Sequence, residues 1–249
     1  MNRFKLRTII QIITLLGWLI LLILLIRGIL YPAHQYCPYA VVCFGSLYPL
    51  GYHLYLIAVI AGLAITLSAI FIGRRFCGYI CFLGTIQAAL FNLRIRLYPK
   101  KNLRKKNDDL LKKIKYVVLL TTLILTITYL SHLYMKFCPV LALAEIKYIG
   151  LSGLISLLTI LLFGFIIERF WCRYLCPYAA LMNVVQVLGS FIGIKRSVLK
   201  RKKCSNCGIC SNVCPMKIDL EKVDKITDPN CIHCLRCVKH CPDTGKIDY

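Results

Sequence analysis

Four apolar runs of membrane length alternate with strongly basic segments along the first two-thirds of this chain. They cover 8–30, 54–73, 116–135 and 149–167, and only Gln11 and Arg27 interrupt the first. At 1.5 Å per residue each is long enough to cover a hydrocarbon layer of about 30 Å, so each predicts a membrane-spanning helix. The first run is too long for the apolar stretch of a cleaved leader. It also has no small-residue cleavage pattern before Tyr31-Pro32, so it reads as a retained helix. Two further stretches, 82–93 and 178–194, have the periodicity of interfacial helices, and the second is long enough to dip into the bilayer.

The chain is 59% hydrophobic, with a mean hydropathy of +0.70, well outside the soluble range. Its formal charge of +22 is distributed by side. Arg3, Lys5 and Arg7 precede the first run, twelve Lys and Arg lie between the second and third, and Arg169, Arg173 and Lys195–Lys203 follow the fourth. The opposite side carries only Arg27, Lys136 and Lys147. By the positive-inside rule both termini face the cytoplasm, and a multi-pass protein of a prokaryotic plasma membrane is expected. These charges flank spans, so they suit anionic lipid headgroups and not nucleic acid.

The membrane part is written twice. Phe76-Cys77-Gly78-Tyr79-Ile80-Cys81 aligns with Trp171-Cys172-Arg173-Tyr174-Leu175-Cys176, each after a helix and an arginine, and Tyr36-Cys37-Pro38 aligns with Phe137-Cys138-Pro139. Each half is an outgoing helix, a Cys-Pro loop, a returning helix, a C-x3-C motif and an amphipathic stretch. Both halves run in the same direction, so their pseudo-axis should lie along the membrane normal. The expected fold is an all-α bundle of four transmembrane helices over 1–198, built as two tandem hairpin repeats with interfacial or re-entrant helices. A small cytoplasmic α+β ferredoxin-like domain over 199–249 follows it.

That terminal segment carries C-x2-C-x2-C-x3-C-P twice: Cys204, Cys207, Cys210, Cys214 and Pro215, then Cys231, Cys234, Cys237, Cys241 and Pro242. This is the ligand run of a two-cluster bacterial ferredoxin, in which the fourth cysteine crosses to the other cube. One [4Fe–4S] cluster is expected on Cys204, Cys207, Cys210 and Cys241, the other on Cys231, Cys234, Cys237 and Cys214. Zinc would use four thiolates in separated pairs, and disulfides suit so dense a run poorly. About 50 residues cannot stabilise a core alone, so metal ligation must supply much of the folding energy.

Cys77, Cys81, Cys172 and Cys176 are paired at i, i+4, which on a helix places both thiols of a pair on one face. If the halves pack about their pseudo-axis, four thiols meet at the cytoplasmic membrane edge, the number a third iron–sulfur cluster requires. Zinc, a pair of disulfides, or cysteine as a small apolar residue are the alternatives. Cys37 and Cys138 are repeat-related on the outer side and could form a disulfide or an outer redox centre. Cys43 has Ala144 at its counterpart. His53 and His132, near outer helix ends, are candidates for a quinone contact. They could also ligate a haem, although loop histidine is the commoner case.

Multiple spans, paired C-x3-C motifs and two terminal ferredoxin runs together resemble the membrane ferredoxin-type proteins of the NapH and NosR type. The resemblance covers nearly the whole chain. It implies [4Fe–4S] clusters on the eight tail cysteines. It further implies quinol-linked or transmembrane electron delivery to an extracytoplasmic flavin- or haem-containing redox protein. The family's C-x3-C-P maps onto Cys172, Cys176 and Pro177, whereas Cys81 is followed by Phe82. No Gly-rich nucleotide fingerprint is present, so the expectation is a non-catalytic electron-transfer subunit. It would be served by a cytoplasmic donor or quinol. A metal-handling maturation factor and a redox sensor are the alternatives.

Overall fold

The computed structural model describes residues 3–27, 39, 42, 56–98, 108–144, 150–194, 199–201, 207–220, 225–242 and 247–248. The first apolar run forms α1 (Arg3–Ile26), and the second forms α2 (Leu56–Ile72). Gly73, at φ 65°, ends α2 in the left-handed region that a residue without Cβ adopts freely. A five-residue helix α3 (Arg75–Tyr79) leads into α4 (Phe82–Leu97). Then come α5 (Asp108–Leu111), α6 (Ile114–Ile127), α7 (Ser131–Met135) and α8 (Pro139–Ala144). The second half closes with α9 (Leu151–Ile166), a π-helical turn (Trp171–Leu175) and α10 (Pro177–Phe191).

Within the described residues, Lys5–Leu24 is the one stretch long and apolar enough to cross a membrane; Val59–Ile72 and Leu151–Ile166 are shorter apolar helices. The third run departs from the expected single helix over 116–135. The Thr128 hydroxyl donates to the Ile124 carbonyl at 3.0 Å, competing with the backbone ladder. Tyr129 then turns left-handed at φ 59°, and Leu130 N–H donates to Leu125 O at 2.8 Å, the closing bond of a Schellman stop.

The stretches expected at the interface are instead central to the packing. α10 packs against α2 and α6, and α4 packs against α9. Each repeat's amphipathic helix therefore lies on the other repeat's returning helix, and the two halves interlock. α10 buries Tyr178, Ala180, Met182, Asn183 and Gln186. Its Gly189 lies so close to α2 that an added Cβ would stand 2.6 Å from Ile70. The outer faces of α1, α2, α6 and α9 expose Leu, Ile and Phe along their length.

The tail is a three-stranded antiparallel sheet in the order β2 (Lys225–Ile226), β1 (Leu199–Arg201), β3 (Ile247–Asp248). Two short helices, α11 (Ile209–Asn212) and α12 (Arg236–Lys239), pack on each other. Met216, Ile218, Leu220, Ile226 and Ile232 form its core, which is continuous with Ala69, Cys77, Tyr178 and Met182 of the helical part. The tail is thus a packed layer of the molecule, not a tethered appendage.

Candidate metal centres

The two C-x3-C motifs adopt the same corner. Cys81 N–H donates to Phe76 O at 3.0 Å, and Cys176 N–H donates to Trp171 O at 2.9 Å. In each copy this i→i−5 bond closes a wide turn, and the second cysteine becomes the N-cap of the next helix. Cys81 (φ −62°, ψ 109°) caps α4, and Cys176 (φ −67°, ψ 112°) caps α10. The expectation that each pair shares one helix face is therefore corrected. The second thiol of each pair starts a new helix, because the chain turns a corner between them. Pro177 occupies N1 of α10, where its missing N–H costs nothing. Phe82 takes the matching place in α4 with the same backbone, so the absent proline does not alter the corner.

All four of these cysteines line one cavity of about 360 Å³, walled by Trp18, Phe76, Phe82, Trp171 and Tyr178. Their thiols are free, and Cys77 and Cys172 are buried. Burial pushes the Cys81, Cys172 and Cys176 thiols upward, and neighbouring Cys77 adds to the effect on each, while Arg169 and Arg74 oppose it at Cys172. Four anionic sulfurs need a cation among them, and metal binding displaces their protons. Among the described residues, no three His, Cys, Asp or Glu converge on a single ion. Cluster thiolates ligate separate irons and need no common point. A cysteine-only donor set in an apolar cavity, drawn equally from two repeats, fits an iron–sulfur cluster.

Polar contacts of Arg7, Glu168, Lys112 and Lys115 join this region to the tail. Arg7 Nε donates to Gly78 O at 3.2 Å while its Nη1 donates to Cys234 O at 3.0 Å. Arg236 pairs with Glu168 at 2.6 Å, Lys112 Nζ donates to Lys217 O at 3.0 Å, and Lys115 meets Asn230. Burial, then the Arg74 guanidinium, brings Lys115 down to about 7. Gly78 touches Ile232 so closely that a Cβ would fall 2.2 Å from the Ile232 carbonyl. Only glycine admits this approach of the two cysteine-bearing loops.

In the tail, Cys214, Cys231, Cys234 and Cys237 surround one small apolar cavity with Met216, Ile218 and Ile232. His233 (φ 50°) and Leu235 (φ 59°) are left-handed, which curls the loop so that Cys231, Cys234 and Cys237 all line that cavity. Gly208 (φ 70°) occupies the place equivalent to Leu235 in the first run. There Cys207 is exposed and Cys210 and Cys241 are half-buried, while Cys204 lies outside the described residues.

Of the outer candidates, Cys138 is buried and lines the same cavity as the four corner cysteines. Cys37, Cys43 and His53, together with the His132 side chain, lie outside the described residues. Sequence reasoning missed the buried bases Arg74, Arg169 and Lys115 and the Asp108 network. Asp108 accepts from Tyr174 and pairs with Arg173 and Lys112. The signal for the arginines was present: each stands three residues before the first cysteine of its motif.

The family model described as a 4Fe-4S binding domain matches residues 54–101 and again 149–196, the two halves of the repeat. The model described as a 4Fe-4S dicluster domain matches 196–242. These sites define an iron–sulfur protein of the ferredoxin type. The ferredoxin-type protein NapH of Escherichia coli is 27% identical over 197 residues, 75% of this chain and 66% of NapH. The methylamine utilization ferredoxin-type protein MauN of Methylobacillus flagellatus is 29% identical over 148 residues, 59% of this chain and 50% of MauN. YccM of Escherichia coli, named for electron transport, is 27% identical over 201 residues, 77% of this chain and 55% of YccM. The chain thus spans about half to two-thirds of the length of these relatives. No solved structure matches. The chain is similar to the NapH-like 4Fe–4S proteins.

Proposed function

We propose that this chain is an integral membrane electron-transfer subunit with three iron–sulfur centres. Residues 1–198 span the plasma membrane four times with both termini cytoplasmic, and residues 199–249 form the cytoplasmic dicluster domain. One cluster is held by Cys204, Cys207, Cys210 and Cys241, and a second by Cys231, Cys234, Cys237 and Cys214. Cys77, Cys81, Cys172 and Cys176 hold the third. An iron–sulfur cluster supplies reversible one-electron storage. The protein's part is to hold these stores in sequence and keep water from the inner one.

The observation that carries this reading is the shared cavity of the four corner cysteines, set against the loop of Cys231, Cys234 and Cys237. Arg7 hydrogen-bonds the backbone of both loops, and Gly78 lets them touch. The second tail cluster is therefore the one next to the membrane centre. The first, with Cys207 exposed, faces the cytoplasmic donor or the electrons of a quinol. Cys138, on the same cavity, extends the route outward toward an extracytoplasmic flavin- or haem-bearing partner. Two matches of a 4Fe-4S family to the two halves support the membrane centre.

Sealed vesicles containing the purified protein test this. With a reductant outside and an impermeant one-electron acceptor trapped inside, the acceptor should be reduced, and Cys77→Ser should abolish the transfer. Full iron content without transfer across the membrane would overturn the proposal.

A further inference from the structure

Arg74 and Arg169 occupy equivalent places in the two repeats and reach across to the opposite one. Arg74 Nη2 donates to Cys172 O at 3.3 Å, and Arg169 Nη1 donates to Cys77 O at 2.6 Å. Relative exposure is 0% for Arg74 and 1% for Arg169. Among the described residues neither meets a carboxylate. Asp108 is taken by Arg173 and Lys112, and Glu168 by Arg236. Arg74 also lies 3.4 Å from the Asn183 side chain, and Nε of Arg74 and Nη2 of Arg169 have no hydrogen-bond partner.

Satisfying two carbonyls does not require a charge, since a neutral amide would do so. Burying a guanidinium without a counter-ion costs several kcal/mol, so two such charges beside four thiols need an anion. Gly84 is shaped for this: a Cβ there would stand 2.8 Å from Arg169 Nη1. The thiolates of Cys77, Cys81, Cys172 and Cys176 are the available negative charge.

Resting on the membrane centre proposed above, we infer that Arg74 and Arg169 are positioning residues whose fixed charges set its reduction potential. Each stabilises the state that has gained one electron, because that state is the more negative and no proton need accompany it. The pair therefore raises the potential of this centre and makes it an acceptor for electrons leaving the tail. The two contacts are reciprocal, so the repeats contribute alike.

Redox titration of the anaerobic full-length protein, followed by electron paramagnetic resonance, tests this. Arg74→Gln and Arg169→Gln should each weaken reduction of the membrane centre at least tenfold, about 59 mV for one electron. The tail signals should stay in place. If a Gln variant loses the centre, the corresponding Arg→Lys variant should restore both the centre and its potential. An unshifted potential in the Gln variants, or failure of Lys to restore, overturns the inference and leaves the arginines as carbonyl caps. If the wild-type protein shows tail signals alone, the membrane centre itself is absent, and that result is distinct from an unshifted potential.

Discussion

The tail and the helix corners of the repeat both gather four cysteines around an apolar hollow, yet they do so by opposite constructions. In the tail, three ligands come from one short loop, curled by left-handed His233 and Leu235, and strands of two or three residues frame it. In the helical part, each repeat gives two cysteines at a helix corner. Long helices that interlock through their own side chains hold those corners. Beyond a small apolar core of Met216, Ile218, Leu220, Ile226 and Ile232, the tail depends on metal ligation for its folding energy. The corners have a scaffold that stands without a cluster.

Removing ligands from each site should expose that difference. The largest effect is expected for Cys234→Ser in the tail. It should cost the second cluster, release about four irons or more and leave the tail open to proteolysis, since metal binding is much of its folding energy. A tail that stays protease-resistant after losing its iron would break the contrast. The double variant Cys77→Ser/Cys172→Ser should also lose about four irons. Its helical circular dichroism and tail signals should remain unchanged.

The joint between the regions gives a smaller effect. Arg236→Ala leaves Glu168 buried without its partner, at a cost of about 3 kcal/mol. The loss should appear as earlier denaturant-induced release of the tail, with iron content intact beforehand.

The smallest effect lies at Asp108. Burial alone would raise its carboxyl, but hydrogen bonds from Arg173, Tyr174 and Lys112 together hold it below the ordinary 3.8. A carboxyl depressed on folding adds stability that is present above its unfolded value. That contribution is lost as pH falls through the folded one. Asp108→Asn should therefore cost about 2 kcal/mol at neutral pH, and the gap from wild type should narrow below about pH 4. A constant gap across that range would place the stabilisation elsewhere.

Local spacing makes the tail legible in the amino-acid sequence. The C-x2-C-x2-C-x3-C pattern carries its own ligation, and Cys214 does lie with Cys231, Cys234 and Cys237. The duplication at Cys77/Cys81 and Cys172/Cys176 is equally plain, and the two halves match one family. Hydropathy does not show that the third run stops at Thr128-Tyr129, because side-chain bonding to a carbonyl leaves no mark on an apolar average. Nor does periodicity show that 82–93 and 178–194 face each other's repeats. An amphipathic stripe looks the same against lipid headgroups as against a helix. Arg74 and Arg169 merge into the basic charge between the apolar runs, and only tertiary structure separates a buried guanidinium from a surface one.

Iron quantitation combined with electron paramagnetic resonance on strictly anaerobic full-length protein tests the central claim most directly. Three centres should give about twelve irons per chain, with one signal lost on Cys77→Ser/Cys172→Ser and the tail pair retained. About eight irons, with the tail signals alone and no change in the double variant, would contradict it.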